Sequence, residues 1–335
     1  MLLQDSLQQE VVSSVKTSLT FDLLYQRIRP DISTFIAATS KLPLKKLDDW
    51  ERLIRDAISV SLQTYNPKHS ISESHPVGSL GWLDICHANG FRRENALRTL
   101  SGSAPNSFLF ALAIRKLNDW VPQVRDAARQ VLPLIAERSN PEIIVDVLFT
   151  ILPTWNSWVR MGDKERNSLI QIILMEKVTE PLKKRLINSI SGPLATIFVQ
   201  AGRTTALDNF LLEIAASSIQ PSLRAKAYRC QFEGKFVWAE GVEWRWIDKA
   251  YGIRRSVPLL RERRVAITTP FIEILNMAIV DPSPMVRRIA GEMLIKELDH
   301  MDDEAFRLAN VLASDTSLSV AERGRYALAE LAKRV

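Results

Sequence analysis

A ten-residue pattern that recurs along the chain limits its fold more than any other feature. The pattern reads "DWVPQVRDAA" from Asp119 to Ala128 and "DPSPMVRRIA" from Asp281 to Ala290. In both copies an aspartate precedes a turn, and an apolar residue, an arginine and a small residue follow the turn. Partial copies have their turns at positions 90, 157, 221 and 318. A pattern that returns at intervals of about 20 to 50 residues is typical of repeat proteins.

The spacing of the turns predicts two further copies. The turn positions 90, 122, 157, 221, 284 and 318 are separated by 32, 35, 64, 63 and 34 residues. Because each long gap is close to twice a short one, a copy is expected near residue 189 and another near residue 252. No convincing match is found near 189. Near 252, "DKAYGIRRSV" carries Asp248 at the aspartate position and Arg254 at the arginine position, so a turn between two helices is predicted there.

Apolar residues on both sides of the turn follow a helical period. The steps of three and four residues connect Phe110, Ala113, Ile114 and Leu117 before one turn, and Val124, Ala128, Val131 and Ile135 after it. Each repeat is therefore predicted to be two antiparallel helices, and the fold class is all-α. A two-helix unit cannot bury its apolar face alone, so the repeats are expected to stack against one another.

The motif D-x-x-P-x-V-R-x-x-A in the two best copies resembles the signature of HEAT repeats. The resemblance extends over residues 81–335 and implies a right-handed α-solenoid of about seven to eight helix pairs. It also implies that the second helices line a concave face and that aspartates and arginines of successive repeats form a buried ladder. The expected ladder residues are Asp119, Arg125, Asp248, Arg254, Asp281 and Arg287, with each aspartate six residues before the arginine that it is expected to pair with. The arginines at the same pattern position in the partial copies, Arg93, Arg160 and Arg224, are expected to belong to the ladder as well. A column of arginines could instead follow a phosphate backbone, but a partly buried guanidinium needs a carboxylate partner, which favours the ladder.

The first eighty residues lack the pattern and are expected to form a separate N-terminal part. Residues 1–62 are predicted to be a helical cap, because "KLPLKKLDDWERLIRDAISVSL" has one apolar face and an open solenoid end would expose its core. Residues 63–80 contain prolines and serines and are predicted to be a linker or loop. Residues 81–335 form the predicted repeat region.

The positive charge of the chain is concentrated in one window. The whole chain has 44 Lys and Arg and 38 Asp and Glu, a net charge of +6, and residues 224–264 contain 11 basic and 5 acidic residues. The entire excess lies in this window, which indicates an anionic partner. The expected contact residues on its predicted helices are Lys226, Arg229, Arg245, Lys249, Arg255, Arg261, Arg263, Arg264, Trp244 and Trp246. Three interpretations remain open: a solvated helix face, an acidic protein partner, or nucleic acid.

Helical geometry makes a further prediction for the two tryptophans of this window. Trp244 and Trp246 are two residues apart, so on a helix they cannot share one face. One ring is therefore expected in the core and the other nearer the surface.

No catalytic, cofactor or metal site is expected from the sequence. Cys86 and Cys230 are far apart, the four histidines lack metal-ligand spacing, and no phosphate-binding glycine loop is present. The fragment "WNSWVR", from Trp155 to Arg160, resembles part of the HEAT-like alkylpurine DNA glycosylases. That resemblance implies a basic concave groove with tryptophan and aspartate, for which Asp119 and Asp163 are the candidates.

The sequence therefore predicts a cytoplasmic, non-catalytic HEAT-repeat scaffold. It is expected to bind a protein partner through a concave, locally basic face. Nucleic-acid binding by that face is the alternative, and a DNA glycosylase is the least favoured one. For the reasons given above, no cofactor or metal is expected. No membrane partner is expected either, since the start of the chain lacks a signal-peptide pattern and no segment approaches the roughly 20 apolar residues that span a bilayer.

Overall fold

The computed structural model describes residues 2–19, 21–22, 27–28, 31–65, 80–301 and 304–333. These residues are mostly helical, and they also form two pairs of antiparallel strands. The chain divides into two compact units, Met1–Val178 and Thr179–Val335. Each unit is described by itself.

The first unit begins with three helices that pack against one another. They are α1 (Leu2–Ser18), α2 (Ser33–Thr39) and α3 (Leu47–Tyr65), and a short strand pair, β1 (Phe21–Asp22) with β2 (Arg27–Ile28), lies between α1 and α2. Their common core contains Val11, Val15, Phe35, Ile54 and Ile58. Helix α3 runs past residue 62, where the predicted cap ends. Most of the predicted linker, residues 66–79, lies outside the described residues, so that boundary stays a prediction.

The rest of the first unit consists of helices that lie side by side in two rows. The helices are α4 (Gly90–Thr99), α5 (Ser107–Arg115), α6 (Pro122–Arg138), α7 (Pro141–Ile151) and α8 (Asp163–Ile173). Helices α4, α6 and α8 form one row, and α5 packs on α7 in the other. The following helix, α9 (Glu176–Asn188), crosses the boundary between the units.

The second unit repeats this arrangement and adds a β-hairpin. Its further helices are α10 (Leu194–Ala201), α11 (Leu211–Ser217), α12 (Pro221–Glu233), α13 (Phe271–Ile279), α14 (Pro284–Glu297), α15 (Glu304–Ala313) and α16 (Leu318–Ala332). Helices α12, α14 and α16 lie side by side. The hairpin consists of β3 (Lys235–Asp248) and β4 (Ile253–Arg264), and it is inserted between α12 and α13.

Five of the six turns found in the sequence are confirmed as helix starts. Gly90, Pro122, Pro221, Pro284 and Leu318 are each the first residue of a helix. Proline suits this position because its missing N–H would have no partner in the first helical turn. The turn at 157 lies in a 3-10 turn, Trp155–Ser157, and α8 starts later. Near 189, where a missing copy was expected, α9 ends and α10 starts at Leu194.

The prediction of a helical repeat near residue 252 is wrong. The stretch forms the long hairpin of β3 and β4, and Gly252 has a left-handed φ of 67° at its end. The long gap between the turns at 221 and 284 therefore contains an inserted hairpin in place of a further helix pair. The all-α fold class holds for most of the described chain and fails for these strands.

Candidate functional site

A buried arginine joins two successive turns in the first unit. The guanidinium of Arg93 donates to both carboxylate oxygens of Asp119, from Nε at 2.9 Å and from Nη2 at 2.8 Å. Its Nη1 donates to the backbone carbonyls of His87 and Ala88, which precede its own helix. Asp119 in turn accepts from the backbone N–H of Val121. One arginine thus closes its own turn and binds the next one.

The same arrangement occurs twice in the second unit. Arg224 makes a two-bond pair with Asp281, with both distances at 2.8 Å, and Arg287 makes one with Asp315 at 2.6 and 3.0 Å. These bonds raise the pKa of both guanidiniums, and the bond from Arg287 is the main cause that lowers the pKa of Asp315. Both guanidiniums and Asp315 therefore favour their charged forms, as expected for two-bond contacts between guanidinium and carboxylate.

The predicted ladder residues divide into three groups. Asp119, Asp281 and Arg287 form the two-bond pairs just described. Arg125 donates to the backbone carbonyl of Asp119 at 2.8 Å instead of to a carboxylate. The carboxylate partners are the aspartates of the next turn, and not those six residues before each arginine. Arg93 and Arg224, which the pattern assigned to the ladder, and Asp315, which it did not, complete the pairs.

Asp248 and Arg254 are not ladder residues, because they lie at the end of the hairpin. Asp248 Oδ1 accepts from the backbone N–H groups of Ala250 and Tyr251, at 2.8 and 3.1 Å, and so closes the hairpin turn. The guanidinium of Arg254 lies over the ring of Trp244, 4.7 Å from its centroid. Their match to the repeat pattern is a coincidence of spacing.

Trp244 and Trp246 lie on one face of the hairpin, contrary to the expectation for a helix. Side chains alternate between the two faces of a strand, so residues two apart share a face. Across the hairpin, Trp244 is opposite Ser256 and Trp246 is opposite Arg254. The two tryptophans are 59% and 54% exposed, so neither belongs to the core. We call this side of the hairpin the tryptophan face.

The base of the hairpin is fixed firmly to the second unit. Phe236 is fully buried, and its ring centroid lies 5.0 Å from that of Phe198 on α10. The guanidinium of Arg263, opposite Phe236, binds both carboxylate oxygens of Asp208 at 2.6 and 2.8 Å and the backbone carbonyls of Gly202 and Thr204. Arg263 was expected to contact a partner, but in the structure it anchors the hairpin.

Four of the eight basic residues predicted to contact a partner form ion pairs: Arg229, Arg245, Arg261 and Arg263. On α12, Arg229 binds Glu292 of α14 at 2.7 Å, and Arg323 of α16 binds the same carboxylate at 3.1 Å. This row of alternating charge runs across α12, α14 and α16. The expectation that these basic residues share a helical face is wrong, because only Lys226 and Arg229 of the eight lie on a helix.

The remaining predicted contact residues lie mainly on the hairpin. Arg245 pairs with Glu243 at 2.6 Å and Arg261 with Glu240 at 2.9 Å. Among the described residues, four predicted contact residues form no ion pair: Lys226, Lys249, Arg255 and Arg264. Of these four, only Lys226 lies on a helix. Most of the unpaired positive charge of the window therefore lies on the hairpin and not on the predicted helix face.

Burial shifts the pKa of both cysteines and of His87. Burial raises the pKa of the thiols of Cys86 and Cys230 to about 12, so neither is a ready nucleophile. Burial and the neighbouring Arg92 lower the pKa of His87 to about 4. In the described part of the chain, no three His, Cys, Asp or Glu residues are grouped so that they could hold a metal ion, and no helix there is long and apolar enough to cross a bilayer.

The residues expected for a glycosylase groove do not lie together in an open site. Both carboxylate oxygens of Asp119 are bound by Arg93, and Trp155 is fully buried. Asp163 is the exposed first residue of α8, paired with Arg166.

Compared with models of known protein families and with curated proteins, the chain matches none of them.

Sequence reasoning missed an exposed aromatic pair in the first unit. Phe91 is 80% exposed and Trp120 is 66% exposed, and they line a shallow cavity of about 340 Å³ together with Val121 and Gln123. The guanidinium of Arg93 lies 5.7 Å from the centre of the Trp120 ring. Phe91 comes directly after the turn position 90, and Trp120 lies two residues before the turn position 122. The turn pattern itself was therefore the signal that could have found them.

Proposed function

We propose that the protein is a non-catalytic binding module built of HEAT-type repeats, and that it holds a protein partner. The observation that carries this proposal is the repeated arginine that closes its own turn and binds the aspartate of the next turn. Such a bridge makes stacked helix pairs into one rigid surface, which suits binding. The right-handed solenoid and the cytoplasmic location belong to the same proposal.

The surface that supports protein binding best is the pair Phe91 and Trp120. Large exposed aromatic side chains beside a concavity are characteristic of the few residues that dominate protein interfaces. The Trp120 ring already packs against the buried Arg93, so little side-chain entropy would be lost on binding. This surface replaces the concave basic face that the sequence predicted.

Site-specific photo-crosslinking tests the proposal. A photo-reactive amino acid at position 120 is expected to capture one discrete protein in cells, whereas the same amino acid at position 306, an exposed phenylalanine in the second unit, is not. With that partner purified, replacement of Phe91 and Trp120 by serine is expected to weaken binding by about 2 kcal/mol or more. Unchanged affinity of the double variant would rule out this surface.

A nucleic-acid partner and DNA glycosylase activity are less well supported. Four of the eight cations expected to contact an anionic partner are paired with carboxylates, and the candidate glycosylase residues Asp119 and Trp155 are buried. We expect no release of methylated bases from alkylated DNA under single-turnover conditions. Release above the uncatalysed rate would contradict the non-catalytic assignment.

A further inference from the structure

The outer part of the hairpin exposes apolar side chains in every direction. We call residues 240–259 the arm; it lies beyond the pair formed by Ala239 and Leu260. Val242, Trp244 and Trp246 are exposed on the tryptophan face. Ile253 and Leu259 are exposed on the opposite face, and Ile247 and Tyr251 are exposed at the end. A two-stranded hairpin is only marginally stable in water. An exposed apolar surface of this extent on such a hairpin therefore indicates a binding element.

Two of the three acidic residues of the arm form ion pairs within the hairpin. Glu240 pairs with Arg261, Glu243 pairs with Arg245, and Asp248 accepts from two backbone N–H groups of the turn. Lys249 and Arg255 have no acidic partner among the described residues, and Arg254 is stacked on Trp244. Within the described part of the chain, the arm therefore offers an unpaired cation on each face, Arg254 and Arg255, and at the end Lys249 lies next to the carboxylate of Asp248.

The edges of the arm are poorly suited to pairing with another strand. The strand β3 is irregular at Glu240 and at Ile247, where one extra residue interrupts the register with β4. The strand β4 carries Pro258, which has no N–H to donate. Bulges and prolines are common ways to block an edge strand. The arm must therefore bind through its side chains.

We propose that the arm is a peripheral membrane anchor that inserts into the headgroup region of an anionic bilayer. Lipids surround an inserted element, so they can cover apolar side chains on both faces and at the end at once. Tryptophan and tyrosine favour this interfacial depth, and Lys249, Arg254 and Arg255 would lie among the lipid phosphates. The unpaired strand edges keep the arm out of the hydrocarbon core, where bare N–H and C=O groups are too costly.

Other partners would leave part of the arm unused. A single protein surface would cover one face and leave the apolar residues of the other in water. Nucleic acid would engage the cations and the two indole rings, but it offers nothing to Ile247, Ile253 and Leu259. The inference goes beyond the proposed protein partner, since it concerns a different surface in the other unit.

Vesicle co-sedimentation of the full chain tests the proposal. Phosphatidylcholine vesicles that contain one third phosphatidylglycerol are expected to bind the protein, and pure phosphatidylcholine vesicles are expected to bind it much more weakly. Each cation near an anionic surface contributes about fivefold, so Lys249→Gln with Arg255→Gln should weaken partitioning about 25-fold. Trp244→Ser with Trp246→Ser should weaken it about tenfold or more, because both rings lose their apolar contact.

Matched variants separate the arm from general charge and hydrophobicity. Lys184→Gln with Arg325→Gln removes the same charge from exposed helix positions of the second unit, and Phe306→Ser with Tyr326→Ser removes two exposed rings. Both control variants should retain binding within about twofold, since neither touches the arm. Thermal unfolding of every variant shows whether it is folded.

The results that would overturn the proposal are equally specific. The first is absence of vesicle binding by the folded wild-type protein, and the second is equal binding to charged and uncharged vesicles. The third is equal loss in the arm and control variants. Tighter binding to a DNA duplex or to oligothymidylate, lost in the arm variants, would assign the arm to nucleic acid. Self-association that depends on Trp244 and Trp246, measured by light scattering, would assign it to a second copy of the chain.

Discussion

Arg224 joins two turns of the second unit through one guanidinium. Its guanidinium closes the turn before α12 through the carbonyls of Ser218 and Ile219 and holds the carboxylate of Asp281 before α14. The two side chains are 10% and 4% exposed, so the pair is almost fully removed from water. Removing only one partner would leave a buried charge without compensation.

Replacing Arg224 by methionine should therefore be strongly destabilising. We expect a loss of about 3 to 5 kcal/mol in the free energy of unfolding, measured by urea denaturation with circular dichroism. The matched control is Arg325→Met, at an exposed position of α16 where the described residues provide no ion pair, and it should cost about 0.5 kcal/mol or less. Equal effects of the two substitutions would show that the pair with Asp281 has no structural role.

The pair of Arg287 and Asp315 should make stability depend on pH in acid. The hydrogen bond from Arg287 lowers the pKa of Asp315 below its usual 3.8, so the folded state binds that proton less readily than the unfolded state. Its contribution is thus present above about pH 4 and is lost as the pH falls through the lowered pKa.

Comparison of the wild type with Asp315→Asn measures this effect. The melting temperature of the variant should be lower at neutral pH, and the difference between the two proteins should shrink below about pH 4. A difference that stays constant down to the acid limit of folding would contradict the role assigned to this carboxylate.

At the scale of single elements, the close contact between α10 and the hairpin base fixes how the hairpin leaves the second unit. A methyl group on Gly202 would lie 2.1 Å from the ring of Phe236, which is far inside van der Waals contact. Phe236 is fully buried against Phe198, so its ring has no free space to enter. The Gly202 position therefore requires the absence of a side chain.

Gly202→Ala is expected to destabilise the protein by about 1 to 3 kcal/mol, since overpacking forces the ring or the backbone to move. Gly241→Ala is the matched control, because a methyl group there meets no atom within 4 Å and the φ of Gly241 is not left-handed. Chemical denaturation of both variants gives the comparison. If Gly202→Ala were as stable as Gly241→Ala, the packing of the hairpin base would be looser than the structure indicates.

The hairpin also explains where sequence reasoning on this element failed. The apolar positions of "KFVWAEGVEWRWID" are rich in aromatic and β-branched residues, which favour strands. The expectation of a helix there rested on the spacing of the other turns and on a chance match at Asp248 and Arg254. An insertion shifts spacing in the same way as a repeat does, so spacing alone could not distinguish them.

At the scale of the whole chain, local signals were predictable and distant pairings were not. Five helix starts followed from the full or partial turn pattern, which has proline at three of them, because capping and turn chemistry act within a few residues. The pairing of Arg224 with Asp281 spans 57 residues, against 26 for Arg93 with Asp119 and 28 for Arg287 with Asp315. Without the inserted hairpin, residues 235–264, the first separation would match the other two.

This match predicts that the arm can be removed without loss of the fold. A chain in which Asn-Gly replaces residues 240–259 keeps the hairpin base, because Ala239 and Leu260 are already paired and a two-residue turn can join them. Its free energy of unfolding should lie within about 1 kcal/mol of the wild type, since the removed side chains are mostly exposed. The measurement is urea denaturation with circular dichroism.

Deletion of the entire hairpin, residues 235–264, provides the contrasting case. It removes the Phe236 ring from Phe198 and the Arg263 guanidinium from Asp208, and so leaves an apolar surface and a carboxylate uncovered. We expect this chain to lose about 3 kcal/mol or more relative to the shorter deletion, because a buried phenylalanine alone contributes that much. Equal stability of the two deletions would mean that the hairpin base contributes nothing to the second unit. A large loss in the shorter deletion would mean that the arm packs against the unit and is not free to bind a membrane.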